Sequence, residues 1–289
     1  MNPDLKFPFD WSGLEDFRSY DYDPDGLPRV HYPHGIGLQY NPITIAQYGL
    51  YCLQQFHQTR QPEHRDRAFT CGDWLLKSAV PWRHNLMVWR YDYSLYFYGP
   101  EAPWISAMAQ AEGVALLLRC HQLQPKDEWR QLAESAIRAL DIEINDGGTR
   151  DRLADGSGWF EEYPTSPPSH VLNGHIFALF GAIDMARYSG RADDQLRVEE
   201  GIHSLETNWR LWDCGYWTLY DLHPTRRLAS RMYQKVHIRC LQSLFQITGC
   251  PVFRQVAERW QRQLKNPVNN LRMVGCKGIA KIRGTTASG

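Results

Sequence analysis

The feature that most limits the fold of this chain is an alternation of two kinds of helical pattern, repeated four times. Segments such as "ITIAQYGLYCL", "WISAMAQAEGVALLL", "HVLNGHIFALFGAIDM" and "VHIRCLQSLF" are apolar around most of a helical circumference. The segments that follow carry charge on one face, as in "ESAIRALDIE" and "VEEGIHSLETNW". A helix apolar all round belongs inside a protein, and one with a single apolar face belongs outside. The paired windows are 42–58 with 63–79, 104–123 with 126–144, 169–188 with 193–212, and 232–247 with 251–264. They predict an all-α chain, a small or incomplete α/α toroid (an α/α barrel) of about four helical hairpins. Residues 1–40, rich in Pro, Gly, Asp and Tyr, read as a loop-rich N-terminal arm. Residues 41–265 read as the toroid and 266–289 as a C-terminal tail.

Each inner segment carries a polar residue near its start, Gln47, Gln110, Asn173 and His237, about 63 residues apart. Buried polar groups are costly without partners. Four at a regular interval point to a shared polar cavity at one end of the inner helices. The loops leading into these helices are unusually rich: "HYPHGIGLQYNP", "WRYDYSLYFYGPEAPW", "GSGWFEEYPTSPP" and "YDLHPTRRLASRMYQ". The returning connections are plainer, so chemistry is expected at the face where the inner helices begin. Helix N-termini also favour anions there.

Several function classes are disfavoured. Lys plus Arg equals Asp plus Glu at 32 each, so no global basic field draws nucleic acid or a membrane surface. The seven cysteines are scattered, with no CxxC, which argues against a disulfide framework or a zinc site. There is no phosphate-binding Gly-rich loop and no GxSxG elbow, and no ligand spacing implies a metal. No cofactor is implied. "MNPDLKFPFDWSG" has neither a basic n-region nor an apolar run, and no stretch is long enough to insert in a membrane, so a cytoplasmic setting is expected. Aromatics reach 13%, which suits a core and also suits a cleft whose flat rings cover pyranose faces.

The block "WFEEYPTSPPSHVLNG" resembles the C-terminal domain of the D-glucuronyl C5-epimerases of heparan sulfate and heparosan. So do "NPITIAQYGL" (41–50), "WISAMAQ" (104–110), "LYDLHP" (219–224) and the spacing of "YQKVHIRCLQSL" (233–244), in the family's order over roughly residues 30–265. The resemblance implies an α/α barrel and inversion of C5 of D-glucuronate within a polysaccharide, giving L-iduronate. It implies catalytic roles for Tyr163, Tyr233, Glu162 and Tyr220. It takes in only the helical domain of the animal enzymes, and "SRMYQK" departs from the family's more aromatic, His-containing run.

That chemistry suits these residue types. The C5 hydrogen lies α to a carboxylate and is weakly acidic, so its removal needs a base on one face, an acid on the other, and cations for the enediolate. A phenol can do either proton job, but its pKa near 10 must fall before it acts as a base. Candidate substrate-binding residues are Gln39, Asn41, Arg90, Gln110, Asn173, His223, Arg231 and His237. Arg231, two residues before Tyr233, is the first choice for holding the carboxylate and depressing that tyrosine. Glu161 is open between catalysis and a cap or ion pair, and Arg226 and Arg227 between substrate binding and a solvated loop. The basic residues Lys265, Arg272, Lys277, Lys281 and Arg283 read as a solvated tail or as a polyanion holder. The partners expected are an acidic, heparosan-like polysaccharide and, with a second copy, a homodimer. A uronate lyase, a glycoside hydrolase and a non-catalytic glycan-binding module stay open as alternatives.

Overall fold

The structure, a computed structural model, describes residues 7–14 and 16–282, with side chains to residue 278. Four hairpins are present: α1 (Pro42–Thr59) with α2 (Pro62–Ser78), α3 (Ala107–Leu123) with α4 (Asp127–Ala136), α5 (Leu172–Ser189) with α6 (Ala192–Asn208), and α7 (Arg231–Thr248) with α8 (Pro251–Lys265). Proline opens α1, α2 and α8, where its missing N–H removes no helix bond. Asn41, Ser106 and Ser230 cap α1, α3 and α7 by accepting the amides of Ile43, Ala109 and Tyr233. Gly190 and Gly249 end α5 and α7 in the left-handed conformation.

The inner and outer roles follow the pattern in the sequence. Helix α3 is buried without interruption from Ala107 to Cys120, and α5 from Leu172 to Met185. Helix α6 buries only Asp194, Arg197, Gly201, Ser204 and Leu205, one face of a helix. The inner helices pack in chain order, α1 on α3, α3 on α5, α5 on α7, and each outer helix covers its own partner. The second outer helix stops at Ala136 and passes into a 3-10 turn, Ile137–Asp141, whose Asp141 is gripped by both Nε and Nη2 of Arg197 at 2.6 Å.

Both ends of the chain depart from expectation. The arm is not simply loop. Strands β1 (Asp21–Tyr22), β2 (Pro28–Tyr32) and β3 (Gly37–Gln39) form an antiparallel sheet. Ahead of them, Phe7, Phe9, Trp11 and Phe17 are buried in the main core. Phe9 meets Phe177 of α5, Phe17 meets Tyr48 and Tyr51 of α1, and the Ser243 hydroxyl of α7 donates to the Pro8 carbonyl at 2.8 Å. This segment therefore lies against α1, α5 and α7 together and forms part of the toroid wall. Its aromatic residues read as arm composition because their partners lie tens to hundreds of residues away. The tail contains a ninth helix, α9 (Pro267–Ile282), packed on α8. The side chains of Lys281 and Arg283 lie outside the described part. Among the described residues, no helix is long and apolar enough to cross a membrane.

Candidate active site

The loops that open the inner helices are tied together by backbone bonds. The Glu161 carbonyl accepts the Ala107 amide at the start of α3, the Tyr220 carbonyl accepts the Leu172 amide at the start of α5, and the Ser169 carbonyl accepts the Leu222 amide. "EEYP" and "YDLHP" are thereby locked side by side over the N-terminus of α5.

Glu162 sits at the centre. Its side chain is 5% exposed and lies against the first turn of α5. A Cβ at Gly174 would stand 2.6 Å from Glu162 Cβ and 2.7 Å from Oε2, so only glycine allows this approach. Burial raises the carboxyl to about 7, and a hydrogen bond from Tyr163 offsets this only in part. Among the described residues Oε2 has no hydrogen-bond partner. Tyr163 is itself held well above the ordinary phenol range, first by burial and then by the Glu162 charge. Its ring meets Tyr98 at 5.0 Å, Phe97 at 5.3 Å and Trp104 at 5.8 Å. Tyr220 and Tyr233 meet edge to face at 4.7 Å. The charges of Glu162, Tyr163, Tyr220 and Tyr233 act on one another, and Tyr220 is likewise held protonated by burial. The four expected catalytic residues thus form one cluster.

The cation of this cluster is Arg227. Its Nε donates to Asp221 Oδ2 at 2.8 Å, and its guanidinium lies 4.3 Å from the Tyr98 ring centre and 5.3 Å from that of Tyr220. Asp221 is fully buried and accepts a second bond, from the Tyr98 hydroxyl, at 2.6 Å. Burial alone would lower the Arg227 pKa, but Tyr98 and Asp221 hold it above its ordinary value. His223 stands at the rim, edge-on to Tyr98 at 5.4 Å, with Nδ1 engaged by Thr225.

Other expected residues have different surroundings. Arg231 is exposed and donates to Asn270 of α9, so the place beside the tyrosines belongs to Arg227. The substitution Arg231→Gln is expected to change turnover less than about threefold, the scale of an exposed polar contact. A loss beyond tenfold in kinetics on acidic polysaccharide would restore Arg231 to the site. Gln110 is buried, and its amide exchanges both bonds with the Trp89 backbone at 3.0 and 2.7 Å, which makes it a brace. Asn41 caps α1 and bonds Tyr32 and Tyr91. Gln39 donates to the Ile36 carbonyl, and Arg90 pairs with Asp92 in solvent. Asn173, on the first turn of α5, has a buried Oδ1 without a partner among the described residues.

His237 is not a cation. Burial lowers its pKa to about 3. Thr218 Oγ1 gives its proton to Gln234 Oε1, so it accepts from His237 Nδ1 at 3.0 Å and leaves Nε2 as a bare acceptor. His175 is a wedge, stacked 3.7 Å from Trp159 and bonded to Phe160 N and Gly201 O. The four-residue register therefore divides among separate tasks. Gln47 donates to Glu112, an acid of α3 that is fully buried and pushed well above the carboxylate range by burial. Glu161 braces the proline-rich loop, accepting from Ser169 Oγ at 2.6 Å and His170 N at 2.8 Å. Asp151, Glu161 and His170 bring ligand-type atoms within 4.8 Å of one another, but His170 Nε2 already bonds Asp151 at 2.7 Å.

Sequence reasoning missed Tyr98, Asp221 and Glu112. Glu112 had a signal, as the one acid inside "AMAQAEGVALLL", and Asp221 stands in the recognised "YDLHP". Tyr98 had only its aromatic neighbourhood.

Residues 83–262 match the family described as D-glucuronyl C5-epimerase C-terminus, a span that holds every residue of this cluster. The chain belongs to that family. It is 28% identical over 242 residues to the D-glucuronyl C5-epimerase of Caenorhabditis elegans, matching over 75% of its own length but only 38% of the nematode protein's. It is 24% identical to an uncharacterized protein of Methanocaldococcus jannaschii, covering 78% of each chain. Among solved structures it resembles cellobiose 2-epimerase from Spirochaeta thermophila, with a TM-score of 0.53 at 14% identity, over 88% of this chain and 64% of that one. It also resembles the unsaturated glucuronyl hydrolase of Bacillus sp. GL1, with a TM-score of 0.51 at 15% identity, over 76% and 61%. These likenesses are of fold, and they agree with the α/α toroid. Like other members of the C5-epimerase family, the chain is placed among carbohydrate-processing proteins.

Proposed function

We propose that the chain inverts C5 of D-glucuronate residues within an acidic, heparosan-like polysaccharide. The observation that carries this reading is the juxtaposition of Glu162, raised to about 7, with two phenols from separate loops, a third from the first turn of α7, and a guanidinium. A standing phenolate is disfavoured at Tyr163, so proton transfer there is coupled. The phenol passes its proton to Glu162 as it takes the one from C5. The enediolate is held by Arg227, and Tyr233, flanked by Tyr220, returns a proton to C5 from the other side; Glu162 then releases a proton to solvent and the Tyr233 phenolate takes one from solvent, which restores both groups for the next turnover. The same steps run in reverse from iduronate.

The test is NMR of heparosan incubated with the protein in D2O. Deuterium at C5 and iduronate signals without chain cleavage are expected. Appearance of an unsaturated uronate would assign a lyase instead, and new reducing ends a hydrolase. Tyr233→Phe should fold normally and lose epimerisation by about 10²–10⁴-fold. Exchange at C5 should persist from the epimer whose hydrogen faces Tyr163, since one base suffices for that half reaction. Full epimerisation by the Phe variant would remove Tyr233 from the mechanism.

A further inference from the structure

Two loops on the side of the site away from Arg227 meet through a pair of exposed rings that the mechanism does not use. One is the turn between β2 and β3. There His34 and Gly35 both stand in the left-handed region, at φ of 58° and 82°, and the Ile36 amide donates back to the Pro33 carbonyl at 3.4 Å. Glycine takes that conformation freely, whereas a histidine is held in it against a steric cost, and such positions concentrate at functional sites. The other is the loop from Asp92 to Pro103. Its base is closed by antiparallel pairing of Arg90–Tyr91 with Trp104–Ile105, and the Leu95 amide donates across it to the Pro100 carbonyl at 3.3 Å. The two loops bring the ring centres of His34 and Tyr96 to 4.4 Å. Both residues stay exposed, Tyr96 at 37%.

From Tyr96 the rings lead inward. Tyr96 meets Phe97 edge-on at 5.1 Å, and Phe97 meets Tyr163 edge-on at 5.3 Å. Exposure falls along this line, since Phe97 and Tyr163 are half-buried. The next residue, Tyr98, is bonded to Asp221, so the same loop is fixed to the site on its inner side and presents Tyr96 on its outer side. The C–H face of a pyranose is apolar, and a flat aromatic ring removes it from water without needing any charge. A row of rings that runs from solvent to Tyr163 therefore suits a chain of sugars. We propose that Tyr96, with His34 packed on it, is a stacking platform for a pyranose that neighbours the reacting uronate in the same polysaccharide chain. This rests on the uronate reading above. The contact is uncharged, so it selects for chain length and not for acidity.

Calorimetry and C5 exchange in D2O, each with a heparosan disaccharide and a hexasaccharide, test the platform. Tyr96→Ala is expected to weaken the hexasaccharide roughly tenfold more than the disaccharide, the scale of one lost aromatic contact, with the loss in KM and not in kcat. Tyr96→Phe keeps the ring and should stay within about threefold of the wild type. His34→Gly keeps the left-handed turn and removes only the ring, so a loss of about threefold on the hexasaccharide is expected. A carboxyl-reduced hexasaccharide should lose the same factor on Tyr96→Ala as the acidic one. Thermal melts should show all three variants folded. Hexasaccharide binding unchanged by Tyr96→Ala, or a loss seen only with the acidic chain, overturns the platform. Equal losses on both lengths, or a fall in kcat, make Tyr96 a brace for Phe97 and overturn it too. A wild type that shows the length effect but exchanges no C5 hydrogen keeps the platform and overturns the uronate reading.

Discussion

Glu162→Gln is expected to fold and to lose C5 exchange by about 10³-fold, the middle of the range for a general base. Only the carboxylate can receive the Tyr163 proton, and an amide cannot. In the wild type, activity should rise with pH through about 7, where the buried carboxyl ionises. The same residue makes a stability prediction of opposite sign. Its folded pKa, about 7, lies above its unfolded value of 4.5. The native state therefore holds a proton that the unfolded state has released, and the resulting stabilisation is fully present below 4.5 and lost as pH rises through 7. At pH 8 the ionised buried carboxylate costs up to about 3 kcal/mol, a cost absent from the glutamine variant. Glu161 is also raised to about 7, by burial, and stands next in the chain, so the two titrate as a pair and the wild-type transition will be broad. Glu162→Gln should thus melt higher than wild type at pH 8 and about equally at pH 4. Retained exchange in D2O, or equal melting at both pH values, would show that Glu162 is neither the base nor a strained acid.

Arg227→Gln should harm both stability and turnover. Removing the guanidinium leaves the Asp221 carboxylate buried with the Tyr98 hydroxyl on Oδ2 and, among the described residues, no partner on Oδ1, a loss of about 3–5 kcal/mol for a broken buried pair. It also removes the positive charge beside the enediolate, for which a fall of about 10²–10³-fold in kcat is expected. The two effects separate in the double variant Asp221→Asn/Arg227→Gln. With no orphaned charge it should recover most of the lost stability while turnover stays low. Arg227→Lys should lie between, because it keeps the charge and loses the planar fork and the stacking on Tyr98 and Tyr220. Wild-type turnover in a stable double variant would show that the pair is only a brace for Tyr98.

The alternation of wholly apolar and one-faced helices, with Pro at their starts and Gly at their ends, determined the hairpins and the order of the ring. Those signals are local: the period of a helix and the chemistry of its caps are written in residues three or four apart. The blocks "EEYPT", "YDLHP" and the run through Tyr233 likewise marked the four residues that the fold brings together. Other features depended on distant partners. Whether an arginine faces the cleft or solvent depends on what lies across a loop, so Arg231, the first choice for the carboxylate, is exposed, while Arg227, open between substrate binding and a solvated loop, lies against the ring of Tyr220. Gln110 and His237 stood in a polar register, but only the packed neighbours decided that Trp89 satisfies one and that burial neutralises the other. Phe7, Phe9 and Phe17 read as arm composition and became part of the wall, because their ring partners lie on α5 and α1. Composition and spacing determine which surfaces must be buried. The long-range choice of what covers each one, and hence the charge state of every acid, histidine and phenol in the cleft, was decided only by the tertiary structure, because desolvation is set by neighbours far away in sequence.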